Sequence, residues 1–215
     1  MSKKNRTLNE LNDNLQEEYA WRIKELHDFK SVVDASRNDN TRNALIRSGV
    51  ALLYAHWEGF VKNAAQNYYT FVSFKRLKHN ELKENFIAVC LRKSIHELLE
   101  TNKVVMQTKS VKFILNELGN QAHFPSRIPI ESFNLTYEVL CEYCTLLGLE
   151  TENYELKKYF IDKKLVENRH KIAHGKYFNV DYSTFNDIYE TTIELLDAVK
   201  IDIVNAAALE KYRKV

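Results

Sequence analysis

"ALIRSGVALLYAHWEGFVKNAAQNYYTFVSF", residues 44 to 74, is the stretch on which the fold turns. Ile46, Val50, Leu53, Trp57, Phe60, Ala64, Tyr68 and Phe71 recur by threes and fours. At about 100° per residue that spacing draws one apolar stripe along a helix. The helix is predicted to span roughly residues 41 to 74. Upstream, residues 7 to about 37 read as a second long helix, with Thr7 and Glu10 in the spacing of a capping box. Two long helices joined by a short link predict an antiparallel pair.

Composition agrees. The chain has 215 residues, 45% hydrophobic and 28% charged, with 12 Tyr and 11 Phe to fill a core. Five Gly and two Pro leave few turn formers, which disfavours many short strands. A net charge of +2 carries no global signal for nucleic acid, so any basic patch is local. No segment reaches the roughly 20 apolar residues of a membrane span, and the N-terminus lacks an apolar signal region. The reading is therefore a cytoplasmic chain with no membrane partner. Cys90, Cys141 and Cys144 make no disulfide framework, and one C-x-x-C lacks the second pair that a zinc site needs. His27, His79, His96 and His123 share no metal-ligand spacing, so no metal or cofactor is expected.

Beyond the first two helices the pattern continues as helix. "KENFIAVCLRKSIHELLE" reads as helical, "SVKFILNELG" as a short helix closed by Gly119, and "LTYEVLCEYCTLLG" as a helix ending at Gly148. "NQAHFPSRIP" holds both prolines and reads as a loop. A helix capped by Asp162 is expected to run to His174 with Gly175 behind it, and a last helix from near Ser183 to about 210. The organisation is one all-α domain over 1–215, its core about 40–205, with 77–133 as a helical insertion in the bundle.

The densest chemistry lies in "VENRHKIAHGKY", residues 166 to 177. Projected from Leu165, Ile161 and Ile172 share its face and Arg169 falls about 40° away, among apolar residues. Arginine is rarely buried unless paired or working; a salt bridge to Glu58 is one way to satisfy it. Glu58 can equally pair with Lys62 at i, i+4. His170 and His174 are i, i+4 neighbours. Between Lys157 and Lys176, six Lys and one Arg face Asp162 and Glu167, a local excess of +5 that a phosphate backbone would seek. The same residues at a helix C-terminus also complement the dipole, without any site.

Arg169, four residues, then His174, in the context "LVENRHKIAHG", resembles the R-x4-6-H motif of the HEPN superfamily. The polar residue that follows the arginine in that family is here His170. The long helix with "LLYAHWEGFVKNAAQNYYTF" and the segment "SFNLTYEVLCEYCTLLGLE" look like the HEPN-like nucleases of bacterial and archaeal conflict systems. The resemblance covers about 40–205. It implies a helical bundle acting as a metal-independent endoribonuclease, a toxin or antiviral effector that cuts RNA through its 2′-OH. The alternative is a non-catalytic HEPN module that binds RNA, nucleotide or a protein partner. Chemistry then assigns Arg169 to phosphate stabilisation, His174 to acid/base work and His170 to assistance. Glu58, Asn168 and Tyr177 are supporting candidates, and Lys164, Lys171 and Lys176 are candidate RNA contacts. HEPN toxins paired with nucleotidyltransferase antitoxins carry a tyrosine two residues after the histidine; here Lys176 holds that place and Tyr177 follows it. An antitoxin or defence-system protein remains an implied partner.

Arg169 and His174 lie five residues apart, so their side chains leave an ideal helix about 140° from each other. An apolar stripe containing an arginine fits an interface lining a cleft. The expectation is a homodimer in which the motif helices meet across a two-fold axis.

Overall fold

A computed structural model describes residues 5–177 and 179–214. Those residues form α-helices with no β-strand; two isolated bridges, Lys78 with Gln121 and Leu82 with Arg213, are the extent of extended pairing among them.

α1 (Leu8–Ala35) and α2 (Asp39–Ser73) form the expected hairpin. α1 starts where its capping box dictates: the Glu10 amide donates to Thr7 Oγ1 at 3.1 Å and the Thr7 amide to Glu10 Oε2 at 3.2 Å. α2 starts at Asn38, whose Oδ1 accepts from the Thr41 amide at 3.0 Å. The predicted stripe on α2 is wholly buried, and burial spreads past it to Tyr54, Val61, Ala65, Tyr69 and Val72. α2 is thus covered on several sides. Each such large side chain contributes about 1.5–3 kcal/mol on leaving water.

α8 (Tyr182–Ala208), capped by Asp181, packs along α2 and α1. Gly49 allows the three to close: a β-carbon there would stand 2.7 Å from Phe185 Cε2 and 2.8 Å from Phe29 Cε1. α6 (Tyr137–Leu147) also rests on α2, and Gly148 ends it in the left-handed region at φ 69°.

Several sequence expectations are corrected. The helix of residues 83–100 breaks at Leu91 into α3 (Glu84–Cys90) and α4 (Arg92–Glu100). The next helix, α5 (Val104–Glu117), starts six residues before the predicted SVKF segment, and Gly119 is not left-handed. α4 and α5 pack on each other and bury no residue, so this pair stands off the core. Asp162 does not cap its own helix. The chain is already helical at Phe160, and Asp162 Oδ1 instead accepts from the Tyr137 amide at 2.8 Å, at the start of α6.

One polar group is locked between α1 and α2. His56 is buried, with Nε2 2.8 Å from Glu25 and Nδ1 3.4 Å from the Arg22 guanidinium. Gly59 makes room for that arginine, since a β-carbon there would lie 3.0 Å from its Nη1. No helix among the described residues is long and apolar enough to cross a membrane.

Burial holds His56 below the ordinary histidine range, opposed by Glu25 and reinforced by Arg22. The unfolded imidazole therefore takes up a proton at higher pH than the folded one. Stability is full above the ordinary value of about 6.5 and falls as pH drops toward the lowered folded value. Thermal melts should show Tm falling between pH 7 and pH 5, and His56→Gln should flatten that slope. An unchanged slope in the variant would place the acid sensitivity elsewhere.

Candidate active site

The helix that carries the motif begins as a π-helix. Phe160–Glu167 is π-helical and runs without a break into α7 (Asn168–Ala173). Bonding from i to i+5 winds the chain more loosely than an α-helix, so a projection at 100° per residue drifts across this segment. The consequence is visible at the motif. Ile161 and Leu165 are fully buried as expected, but the next buried residue is Asn168, 5% exposed. Arg169 sits half-buried at the edge of that face.

The arginine does not meet Glu58. Its Nη1 donates to Asn134 Oδ1 at 3.0 Å, and its guanidinium lies 5.0 Å from the centre of the Tyr54 ring on α2. Tyr54 shares the same acceptor, with its hydroxyl 3.5 Å from Asn134 Oδ1, and that hydroxyl oxygen accepts from the buried Leu135 amide at 3.0 Å. Burial pushes the Tyr54 hydroxyl up to about 12; the Leu135 hydrogen bond and the Arg169 charge oppose the rise, and the Glu58 carboxylate adds to it. Glu58 takes the alternative read from its spacing and pairs with Lys62 at 2.8 Å. Lys62 also donates to the Ser132 carbonyl at 3.4 Å. Asn134 is the residue that sequence reading missed. It lies 35 positions before the arginine, in irregular chain between α5 and α6, and no local spacing points to it.

The histidines lie apart from the arginine's partners. His170 and His174 are exposed, with ring centroids 4.2 Å apart and planes tilted by 58°. His174 ends α7, and Gly175 turns the chain at φ 66° so that the Lys176 amide reaches back to the Lys171 carbonyl at 2.9 Å. Arg47 on α2 ties down the outgoing segment by donating to the Lys176 carbonyl at 3.1 Å. Tyr177 stands 88% exposed.

The lysines divide. Lys164 and Lys171 line a cleft of about 340 Å³ between the motif helix and the start of α8, which Asn168 also lines. Lys176 is exposed beyond Gly175 and does not line it. Glu167 is clasped by Lys171 and Lys163, at 2.8 and 3.0 Å, and those hydrogen bonds hold its carboxyl down at about 2. Among the described residues no group of three or more His, Cys, Asp and Glu is placed to hold a metal ion.

The arrangement offers a cation on neutral supports, a solvent-facing imidazole pair and a lysine-rimmed cleft on one short helix. Compared with known proteins, the chain matches the family model described as RiboL-PSP-HEPN over residues 17–205. No curated protein and no solved structure matches it.

Tyr54→Phe should keep the ring under Arg169 and remove only the hydroxyl. That strands the buried Leu135 amide, a cost of about 1–3 kcal/mol. Denaturant melts measure it; a loss below about 0.5 kcal/mol would mean that water replaces the hydroxyl.

Proposed function

The chain belongs to the RiboL-PSP-HEPN family, and from that premise we propose that it is a metal-independent endoribonuclease. Domains of this family are generally ribonucleases or nucleotide-binding modules. The observation that carries the enzymatic reading is the state of Arg169. Among the described residues no carboxylate pairs with it; its partners are an amide oxygen and an aromatic face. A guanidinium held in place yet not neutralised is suited to a phosphate whose charge grows in the transition state.

The reaction needs no bound ion to make a nucleophile. A base takes the proton of the RNA 2′-OH, and the oxygen attacks the adjacent phosphorus. The bond to the 5′-oxygen of the next nucleotide breaks, and an acid supplies that oxygen with a proton. The products are a 2′,3′-cyclic phosphate and a 5′-hydroxyl. Arg169 steadies the pentavalent phosphorus, His174 moves protons, and His170, in ring contact with it, orients or shares that work. Lys171, Lys164 and Lys176 attract the backbone. The biological setting proposed is that of a toxin or antiviral effector, with an antitoxin or defence-system protein as a controlling partner.

A homodimer through the motif helix belongs to the same proposal. Arg169 faces α2 and Asn134, while the His170 and His174 rings face solvent. In this reading the two groups reach one phosphate across a subunit boundary. A two-fold axis beside the helix sets the arginine of one protomer near the histidines of its partner.

Purified protein should cut single-stranded RNA in EDTA and leave 2′,3′-cyclic phosphate ends. Arg169→Ala and His174→Ala should each lose on the order of a hundredfold or more. Cleavage that stops in EDTA and returns with magnesium would overturn the mechanism. Mixing the two inactive variants should restore part of the activity, because one mixed site retains both groups. An inert mixture, or full activity at the scattering mass of one 25.3 kDa chain, would overturn the shared site.

A further inference from the structure

α4 and α5 form a helical hairpin that is fixed at its base and uncovered above it. At the base Leu91 is buried, Arg92 Nη1 donates to the Pro129 carbonyl at 2.7 Å, and the Asn80 amide donates to the Leu118 carbonyl at 3.0 Å. Buried His79 adds to the grip, its Nδ1 standing 2.8 Å from the Glu117 carbonyl at the end of α5. From there to the tip at residues 101–103 neither helix buries a residue. Of the large apolar side chains that stand exposed among the described residues, seven fall between positions 99 and 115. Such a concentration marks a contact surface, where single exposed residues would not.

The exposed residues are ordered. On α5 the half-buried positions are Gln107, Ser110, Ile114 and Glu117, the row that meets α4. Beside that row Val104, Thr108, Val111 and Leu115 recur by four, three and four, the spacing of a coiled-coil seam. All four are exposed, Val104 at 73% and Leu115 at 62%. Met106 and Phe113 lie on the other flank, where they line a groove with Glu97 of α4. Leu99 stands about 160° round α4 from Glu97, so it joins the flank of the seam, 78% exposed. That flank is aliphatic apart from Thr108. Lys112 and Lys109 lie about 70° and about 130° round α5 from it. A phosphate backbone or an anionic membrane would find only Arg92 there, already tied to the Pro129 carbonyl.

A second copy of the same face meets these conditions. Let two α5 helices lie antiparallel about a two-fold axis, with Val104 against the partner's Leu115 and Thr108 against the partner's Val111. In that register Lys103, Lys109 and Lys112 stand opposite Asn116, Ser110 and Gln107, so no like charges oppose each other. Two hairpins face to face complete a four-helix bundle. The face is about 20 Å long and about 20 Å wide. Covering it on both copies buries on the order of 1,000 Å², the low end of specific interfaces. We infer that the α4–α5 hairpin is a self-association surface, on which a further copy of this chain docks through Leu99, Val104, Val111 and Leu115. It is separate from the motif helix and independent of the ribonuclease reading. Where the motif helices also pair, the hairpins join those dimers into larger assemblies.

Sedimentation velocity follows the mass of the protein as its concentration is raised. The mass should climb, and Val111→Glu and Leu115→Glu should each weaken that association by about a hundredfold or more, since each sets an unpaired charge in an apolar contact. Both positions are exposed, so thermal melts should be unchanged. Phe113→Glu, exposed on the opposite flank, should leave the association as it is. A mixture of Val111→Glu and Thr108→Lys chains should associate more tightly than either variant alone, because the register sets these two positions against each other. If Val111→Glu has the wild-type mass at every concentration, the hairpin interface is overturned, and RNA cleavage by the same preparation leaves the ribonuclease reading standing. A fall from dimer to single chain in Val111→Glu makes the hairpin the dimer contact and overturns the motif-helix pairing instead. An equal loss in Phe113→Glu would overturn the seam as the contact. Sedimentation of an unassociated chain with vesicles of anionic lipid would give the face to a membrane and overturn the second copy.

Discussion

A 35-residue helix that buries residues on several faces has to be covered, and α2 is such a helix. α1, α6, α8 and the motif helix all pack on it. Several of its polar side chains hold irregular chain in place. Arg47 holds the segment after the motif, Tyr54 the Leu135 amide, and Lys62 the Ser132 carbonyl. Gln66 holds both the Ser126 carbonyl and the Ile128 amide. The connection from α5 to α6 has no regular structure of its own to fix it, so α2 fixes it. Asn134 is the point where that connection meets the motif, and so the placing of Arg169 depends on α2 at one remove.

This arrangement bears on why the arginine would be usable in the proposed reaction. A guanidinium that enters a half-buried place needs compensation, and a carboxylate would supply most of it. A carboxylate would also neutralise the charge that a phosphate needs. Asn134 and the Tyr54 face orient the group and leave its charge unpaired. Glu58 lies near enough to raise the Tyr54 hydroxyl pKa, but Lys62 takes its carboxylate. Glu58 is thus paired on its own helix and not with the arginine.

What the sequence disclosed, and what it hid, follows from the range of the interactions. Capping boxes, apolar stripes and left-handed glycines act within a few residues, and α1, α2, α6, α8, Gly148 and Gly175 are legible for that reason. Gly119 misled because a glycine after a helix permits a left-handed turn without requiring one. Asp162 misled because its partner, the Tyr137 amide, is 25 residues away. The π-helical winding at Phe160–Glu167 left no signature in apolar spacing, and Asn168, not Arg169, is the buried residue that follows it. The motif itself was legible as a pattern of residue types. Its electrostatic setting was not, because Asn134 and Tyr54 reach it only through the tertiary fold.

The π-helix has a further effect on how the two ends of the motif divide. The motif helix packs on α2 and buries Ile161, Leu165 and Asn168. Arg169 is turned to the α2 side of the contact, and the row of Glu167, Lys171 and His174 is turned away from it. A cleft between Glu167, Lys171 and the start of α8 opens beside that row, and neither histidine lines it. In the proposed reading the proton-transfer groups would stand on one surface of a protomer and the phosphate-stabilising cation on another. In that reading the division would make catalysis conditional on bringing two surfaces together, the second supplied by another copy of the same chain. In the proposed reading the monomer is therefore a binding module, and pairing is what turns binding into cleavage.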